Sequence, residues 1–166
     1  MPRSLLLVVL ALLCSACYGD DSNLTESGKG KPVVSATFPA TAASGSVQEL
    51  RVEVENPGPG EIDVLAIAFV LIGPRPGQSD FPAPLVMVGT DRSTPSIVSV
   101  EPSPNGISED AAVYTFDGLA EGATSSFLFE VKVPDEPGPA ANSVQVYDGR
   151  EIDRAAGVRV ETTVER

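Results

Sequence analysis

The 166-residue chain has no histidine, no tryptophan and only two cysteines. Without histidine there is no imidazole base, no Ser-His-Asp or Cys-His pair and no histidine-bearing metal site, which leaves carboxylates, hydroxyls and lysine for any chemistry. Positive charge is also scarce: 11 Lys plus Arg stand against 23 Asp plus Glu, a formal net charge of −12. A surface this acidic repels phosphate, so nucleic acid is excluded as a partner. Six Phe and three Tyr are the whole aromatic content. What the chain has in quantity is turn formers, 15 Gly and 15 Pro, within a composition that is 42% hydrophobic. That combination predicts one folded domain of many short segments joined by turns.

The N-terminus reads Met-Pro-Arg-Ser, then nine apolar residues from Leu5 to Leu13, then Cys14-Ser15-Ala16-Cys17. A cationic start, an apolar stretch and small residues at its end have the layout of a secretory signal, and the apolar stretch falls well short of the roughly 20 residues that span a bilayer. Ala16 directly before Cys17 resembles the lipobox of bacterial lipoproteins. The resemblance implies cleavage after Ala16 and lipidation of Cys17, although Cys14 stands where that family usually has an aliphatic residue. An ordinary secretory signal cut at the same bond is the alternative. Two or three acyl chains on one residue hold a membrane firmly where a single chain does not. Tyr18, rather than Asp, follows the cysteine, which in the Gram-negative sorting pattern implies the outer membrane. Both cysteines then belong to the signal or the anchor, and the domain is expected to contain no disulfide or thiolate metal site.

Residues 17–31 form the expected lipidated terminus and tether. From Tyr18 to Lys31 the only aliphatic residue is Leu24, too little to offset chain entropy. Gly28-Lys29 lacks the flanking Gly and Ser or Thr of a phosphate-binding loop, and Asn23-Leu24-Thr25 has the form of a glycosylation sequon without meaning in a bacterium lacking that machinery.

From Pro32 onward the hydrophobic period is two. Leu50, Val52 and Val54 alternate with Arg51, Glu53 and Glu55; Phe127, Phe129, Val131 and Val133 alternate with polar residues; Val158, Val160 and Val164 do the same. Each run predicts a strand with one face in the core. Ile62 to Ile72 is almost continuously apolar, as for a strand covered on both faces. Weaker strand candidates are Val33–Phe38, Leu85–Val88, Ile97–Val100, Ala112–Phe116 and Ser143–Tyr147. Turns are expected at Asn56–Gly60, Gly73–Gly77, Pro102–Gly106 and Pro134–Pro139, where Pro interrupts the ladder and Gly supplies unusual backbone angles. Arg150 to Ala156 is expected to form one short helical turn. The pattern predicts an all-β fold over residues 32–166, a single antiparallel sandwich of about seven to nine strands.

The strand Val47–Glu55 with its Asn56-Pro57-Gly58 turn, and the later Leu119-Ala120-Glu121-Gly122 turn leading into Phe127–Pro134, resemble bacterial immunoglobulin-like modules of the CARDB and ASPM-SPD2-Hydin type. The resemblance implies an immunoglobulin-like sandwich used as a stalk, an adhesive unit or part of a surface assembly, with no common active site.

Few residues suggest a site. Asp148, Glu151 and Asp153 gather carboxylates after a strand, which is the chemistry Ca²⁺ prefers; a solvated Asp-Gly turn is the simpler reading. Asp117 with Glu121, or Glu109 with Asp110, could in principle serve as a glycosidase pair, but they flank turns and a small sandwich offers few clefts. Tyr114 and Tyr147 are either stacking surfaces for sugar or half-buried sheet residues. Phe81, in the proline-rich loop Arg75–Pro84, is either a binding tip or a cap on an open end of the sandwich. The expectation is therefore a membrane-anchored cell-envelope lipoprotein without catalysis or cofactor. Its expected partners are the membrane, through the lipid anchor, and envelope proteins; polysaccharide or peptidoglycan binding is the alternative.

Overall fold

The computed structural model describes residues 30–73, 81–87, 96–108, 112–149 and 151–166, with Glu151 and Ile152 described through their backbone only. Cys14, Ala16, Cys17, the tether up to residue 29, Arg75 to Asp80, Val88, Glu109, Asp110 and Arg150 lie outside the described residues. Ten strands are present: β1 (Val33–Thr37), β2 (Thr41–Ala43), β3 (Val47–Glu55), β4 (Ile62–Val70), β5 (Ile97–Glu101), β6 (Gly106–Ser108), β7 (Val113–Leu119), β8 (Thr124–Lys132), β9 (Gly138–Asp148) and β10 (Glu151–Glu165).

They form two layers, a four-stranded sheet in the order β1-β3-β8-β5 and a six-stranded sheet in the order β2-β10-β9-β4-β7-β6. The protein is an all-β, two-layer sandwich. Its named strands pair antiparallel except β2, which runs parallel to β10. That exception arises because the chain leaves the first sheet after β1 and joins the second within a few residues.

The alternating runs become the layer contacts. Leu50, Val52 and Val54 of β3 lie beside Phe127, Phe129 and Val131 of the neighbouring β8 on one core face, while Arg51, Glu53 and Glu130 stay in water. Burying each of these Val, Leu or Phe side chains contributes roughly 1.5–3 kcal/mol. The continuous run is the central strand β4, flanked by β9 and β7 and buried from Leu65 to Phe69. Its inward side chain Phe69 meets Phe129 and Tyr114 edge-to-face, with ring centroids 5.2 Å and 6.0 Å away. On the outward side, Ala66 and Ala68 are covered because their cross-strand neighbours, Tyr147 with Thr115 and Gln145 with Val113, are larger.

Two local expectations are corrected. The helical turn expected at Arg150–Ala156 is, over its described residues Glu151 to Ala156, the start of β10, with an irregular register between Glu151 and Ala156. Pairing with β9 and burial of Val160 and Val164 outweigh the weak local preference of that segment. The strand expected at Leu85–Val88 is absent over its described residues Leu85 to Met87. Leu85 and Val86 are buried as expected of core residues, yet the described residues form no ladder beyond an Ala83–Ala140 bridge just before the segment. The short strands β2 and β6, three residues each, are additions that no alternation could announce.

Candidate functional site

The strand registers define two ends of the sandwich. At one, Val33 of β1, Glu55 of β3, Thr124 of β8 and Ile62 of β4 lie together, so the chain enters here beside the Asn56 turn. At the other end lie Val47, Lys132, Val70, Ser143, Gly138 and Val164.

Asn56 organises the entry end and is fully buried. Its side-chain amide donates to Gly60 O at 2.9 Å and Leu119 O at 2.8 Å, and its Oδ1 accepts the Gly58 N–H at 3.1 Å. Its backbone N–H donates to Ala123 O and its carbonyl accepts from Gly122 N–H. The Asn-Pro-Gly turn and the Leu-x-x-Gly turn read separately from the sequence are thus one hydrogen-bonded unit. Glu121 belongs to it as well, because its carboxylate accepts the Gly60 N–H at 3.2 Å. Asp117, the partner considered for Glu121, instead accepts from the Asn105 side chain at 2.7 Å. Both carboxylates therefore hold turns.

Of the acidic trio, Asp148 is built into the fold. Asp148 is only 2% exposed, and its Oδ2 accepts the Asp63 N–H at 3.2 Å, while Gly149 N–H donates to Val64 O at 2.8 Å. Asp148 thus ties the end of β9 to the start of β4 instead of lying in a solvated turn. Asp153 is exposed on β10, and the Glu151 side chain lies outside the described residues. Among the described residues, no three Cys, Asp or Glu side chains are grouped as metal ligands would be.

Tyr114 is buried in the aromatic cluster with Phe69 and Phe129, whereas Tyr147 is half-buried on the outer face of the six-stranded sheet. Burial raises the pKa of both phenols above the ordinary value of 10.0. Of the two, Tyr147 alone leaves a ring surface in reach of solvent.

At the far end Phe81 is half-exposed and stands outside the main core cluster. The core here is closed by Leu85 and Val86. A buried asparagine that the sequence reading passed over holds them: Asn142 Oδ1 accepts the Val86 N–H at 2.7 Å, and its amide donates to Val86 O at 3.1 Å and Val70 O at 3.3 Å. The signal was available, because Ala140, Asn142, Val144 and Val146 share one face of β9 and Asn142 interrupts an apolar row. Beside this segment lies a groove of about 370 Å³ whose walls include Pro84, Leu85, Met87, Val133 and Pro134, with Lys132, Asp135 and Glu136 adding charge. The groove offers aliphatic surface and both signs of charge, which suits binding.

No family model and no curated protein matches the chain. Solved structures that it resembles include the ASH / PapD-like domain 7 of human CEP192, at 14% identity and a TM-score of 0.40, with 82% of this chain and 85% of that one covered. Another is BslA, a bacterial hydrophobin, at 11% identity and a TM-score of 0.45, covering 81% and 99% of the two chains. A β-glucosidase from Listeria innocua is matched at 12% identity and a TM-score of 0.37 over 82% of this chain and only 16% of the enzyme.

Proposed function

We propose that the protein is a lipid-anchored, extracytoplasmic lipoprotein of the cell envelope whose sandwich serves as a structural or protein-interaction module without catalysis. The anchor is Cys17, exposed by cleavage after Ala16, and the outer membrane is its site in a Gram-negative cell. The observation that carries the reading is the small residue and cysteine closing the apolar run Leu5–Leu13. Geometry supports it: the chain enters the sandwich beside Asn56, at the end opposite the groove and Phe81. A domain tethered at its entry end would turn the groove end away from the lipid.

Intact-mass and peptide mass spectrometry of the mature protein is the direct test. The expected result is a chain starting at Cys17 with diacylglyceryl mass on its thiol; an unmodified Cys17 thiol overturns the anchor. The groove favours a second reading, a ligand-binding module for polysaccharide or peptidoglycan, because carbonyls, a cation and two carboxylates can all meet sugar hydroxyls or peptide stems. Soluble peptidoglycan fragments shifting the resonances of Met87 and Lys132 would favour that reading over partner binding.

A further inference from the structure

We propose that the outer edge of β10 from Gly157 to Glu161 receives an extended segment of another polypeptide as an added strand. Thr163 donates its N–H to Ala40 O at 2.9 Å, so its backbone groups point away from β9 and towards β2. Alternate residues of a strand direct their N–H and C=O to the same side. Gly157, Arg159 and Glu161 therefore turn theirs to that side too. β2 pairs with β10 only from Thr163 to Glu165, and β1, which precedes it, has moved to the other sheet. Among the described residues, no strand covers the edge between.

Natural sheet edges are blunted by proline, bulges, inward charge or charged side chains along the edge. Gly157 to Glu161 has no proline, bulge or inward charge, and its register with β9 is regular. The one cation and one anion on its outer face, Arg159 and Glu161, pair with each other at 2.7 Å. The edge is thus locally neutral in a chain of net charge −12. On its inward side runs a seam between the two sheets, bordered by the half-buried apolar residues Val34 and Ala36 of β1 and Val158 of β10.

These features select the occupant. A second copy is disfavoured: an antiparallel second β10, fifteen residues long, would run into the β2 already seated on the edge beyond Thr163, and each copy carries a net charge of −12. A short segment fits, about five residues and 17 Å long. Alternate aliphatic side chains would cover Val34, Ala36 and Val158, and the residues between them would be neutral or basic to suit an acidic host. The inference deepens the protein-interaction reading of the sandwich and does not depend on the anchor.

Hydrogen exchange on the full chain tests it, with the capped peptide Thr-Val-Lys-Val-Thr-Val-Thr as probe and the same peptide carrying proline at its second and fourth positions as control. Saturating probe is expected to slow exchange of the Gly157 and Arg159 amides at least tenfold, and the control to leave it unchanged. Gly157→Pro should abolish the effect while the protein stays folded, since that N–H faces away from β9 and a Cβ there meets nothing closer than 3.7 Å. If that variant fails to fold, the wild-type exchange decides alone. Absence of protection overturns the proposal, as does protection confined to β5 or to Leu85–Met87, although the latter would leave an interaction module in place. Protection that precedes the probe and rises with protein concentration identifies a second copy as the occupant. If it is independent of concentration, it identifies the chain's own segment. Either result overturns the proposal.

Discussion

Asn56 donates both side-chain hydrogens to carbonyls of two different turns and accepts a third bond, all at zero exposure. Removing a buried amide leaves each partner without water or a substitute, which costs more than the bonds contributed. Asn56→Ala is expected to lower unfolding stability by about 3 kcal/mol in urea titration. Asn56→Asp should be at least as damaging, because a carboxylate can keep the Gly58 contact but has no hydrogens for Gly60 and Leu119. Thr162 presents the opposite case. Its Oγ1 is buried without a hydrogen-bond partner, on the core face of β10 between Val160 and Val164. Thr162→Val replaces that hydroxyl with a methyl of similar size, so the variant should be more stable by about 1 kcal/mol, again read from the urea midpoint.

At the scale of elements, the strands were legible wherever one face met the core. β3, β8 and β10 showed their alternation, and the apolar length of β4 announced a strand covered on both sides. Segments held by side chains from other parts of the chain were not legible in this way. Leu85–Met87 is held by Asn142, from a strand more than fifty residues later, and no local pattern encodes that reach. Asn142→Ala should release the segment, with much faster hydrogen exchange at the Val86 amide and a stability loss of about 2 kcal/mol. β7 carries a second test. Burial raises the Tyr114 pKa, so below pH 10 both folded and unfolded chains hold the phenolic proton, and above it the unfolded chain releases the proton first. Stability should therefore decline as pH rises above about 10. Tyr147 is raised in the same direction, so Tyr114→Phe should reduce the alkaline decline in thermal melts without removing it.

For the whole molecule, the two ends divide the proposed labour. The entry end ties its turns together through Asn56, Glu121 and Asp148, while the far end offers the groove and half-exposed Phe81. Cys17→Ser should move the protein from the membrane to the soluble fraction on cell fractionation. Its melting temperature should stay the same, because Cys17 lies well before the first strand, β1, at Val33–Thr37. Loss of Arg3 with residues 1–16 would leave the mature chain one charge more acidic than the precursor.

The sequence by itself determined the class of fold, because period-two burial and Gly-Pro punctuation are local properties that a short window contains. It also determined which chemistries are missing, since a chain without histidine cannot supply an imidazole in any fold. The tertiary structure alone decided the rest. It put Asp148 beside the Asp63 amide, where it holds a strand, and it converted 151–156 from an expected helical turn into ladder. It also left the backbone of Gly157, Arg159 and Glu161 facing an edge that no described strand covers, by sending β1 to the opposite sheet. Which strand lies beside which depends on contacts between residues far apart in sequence, and the pattern within any one strand does not encode them.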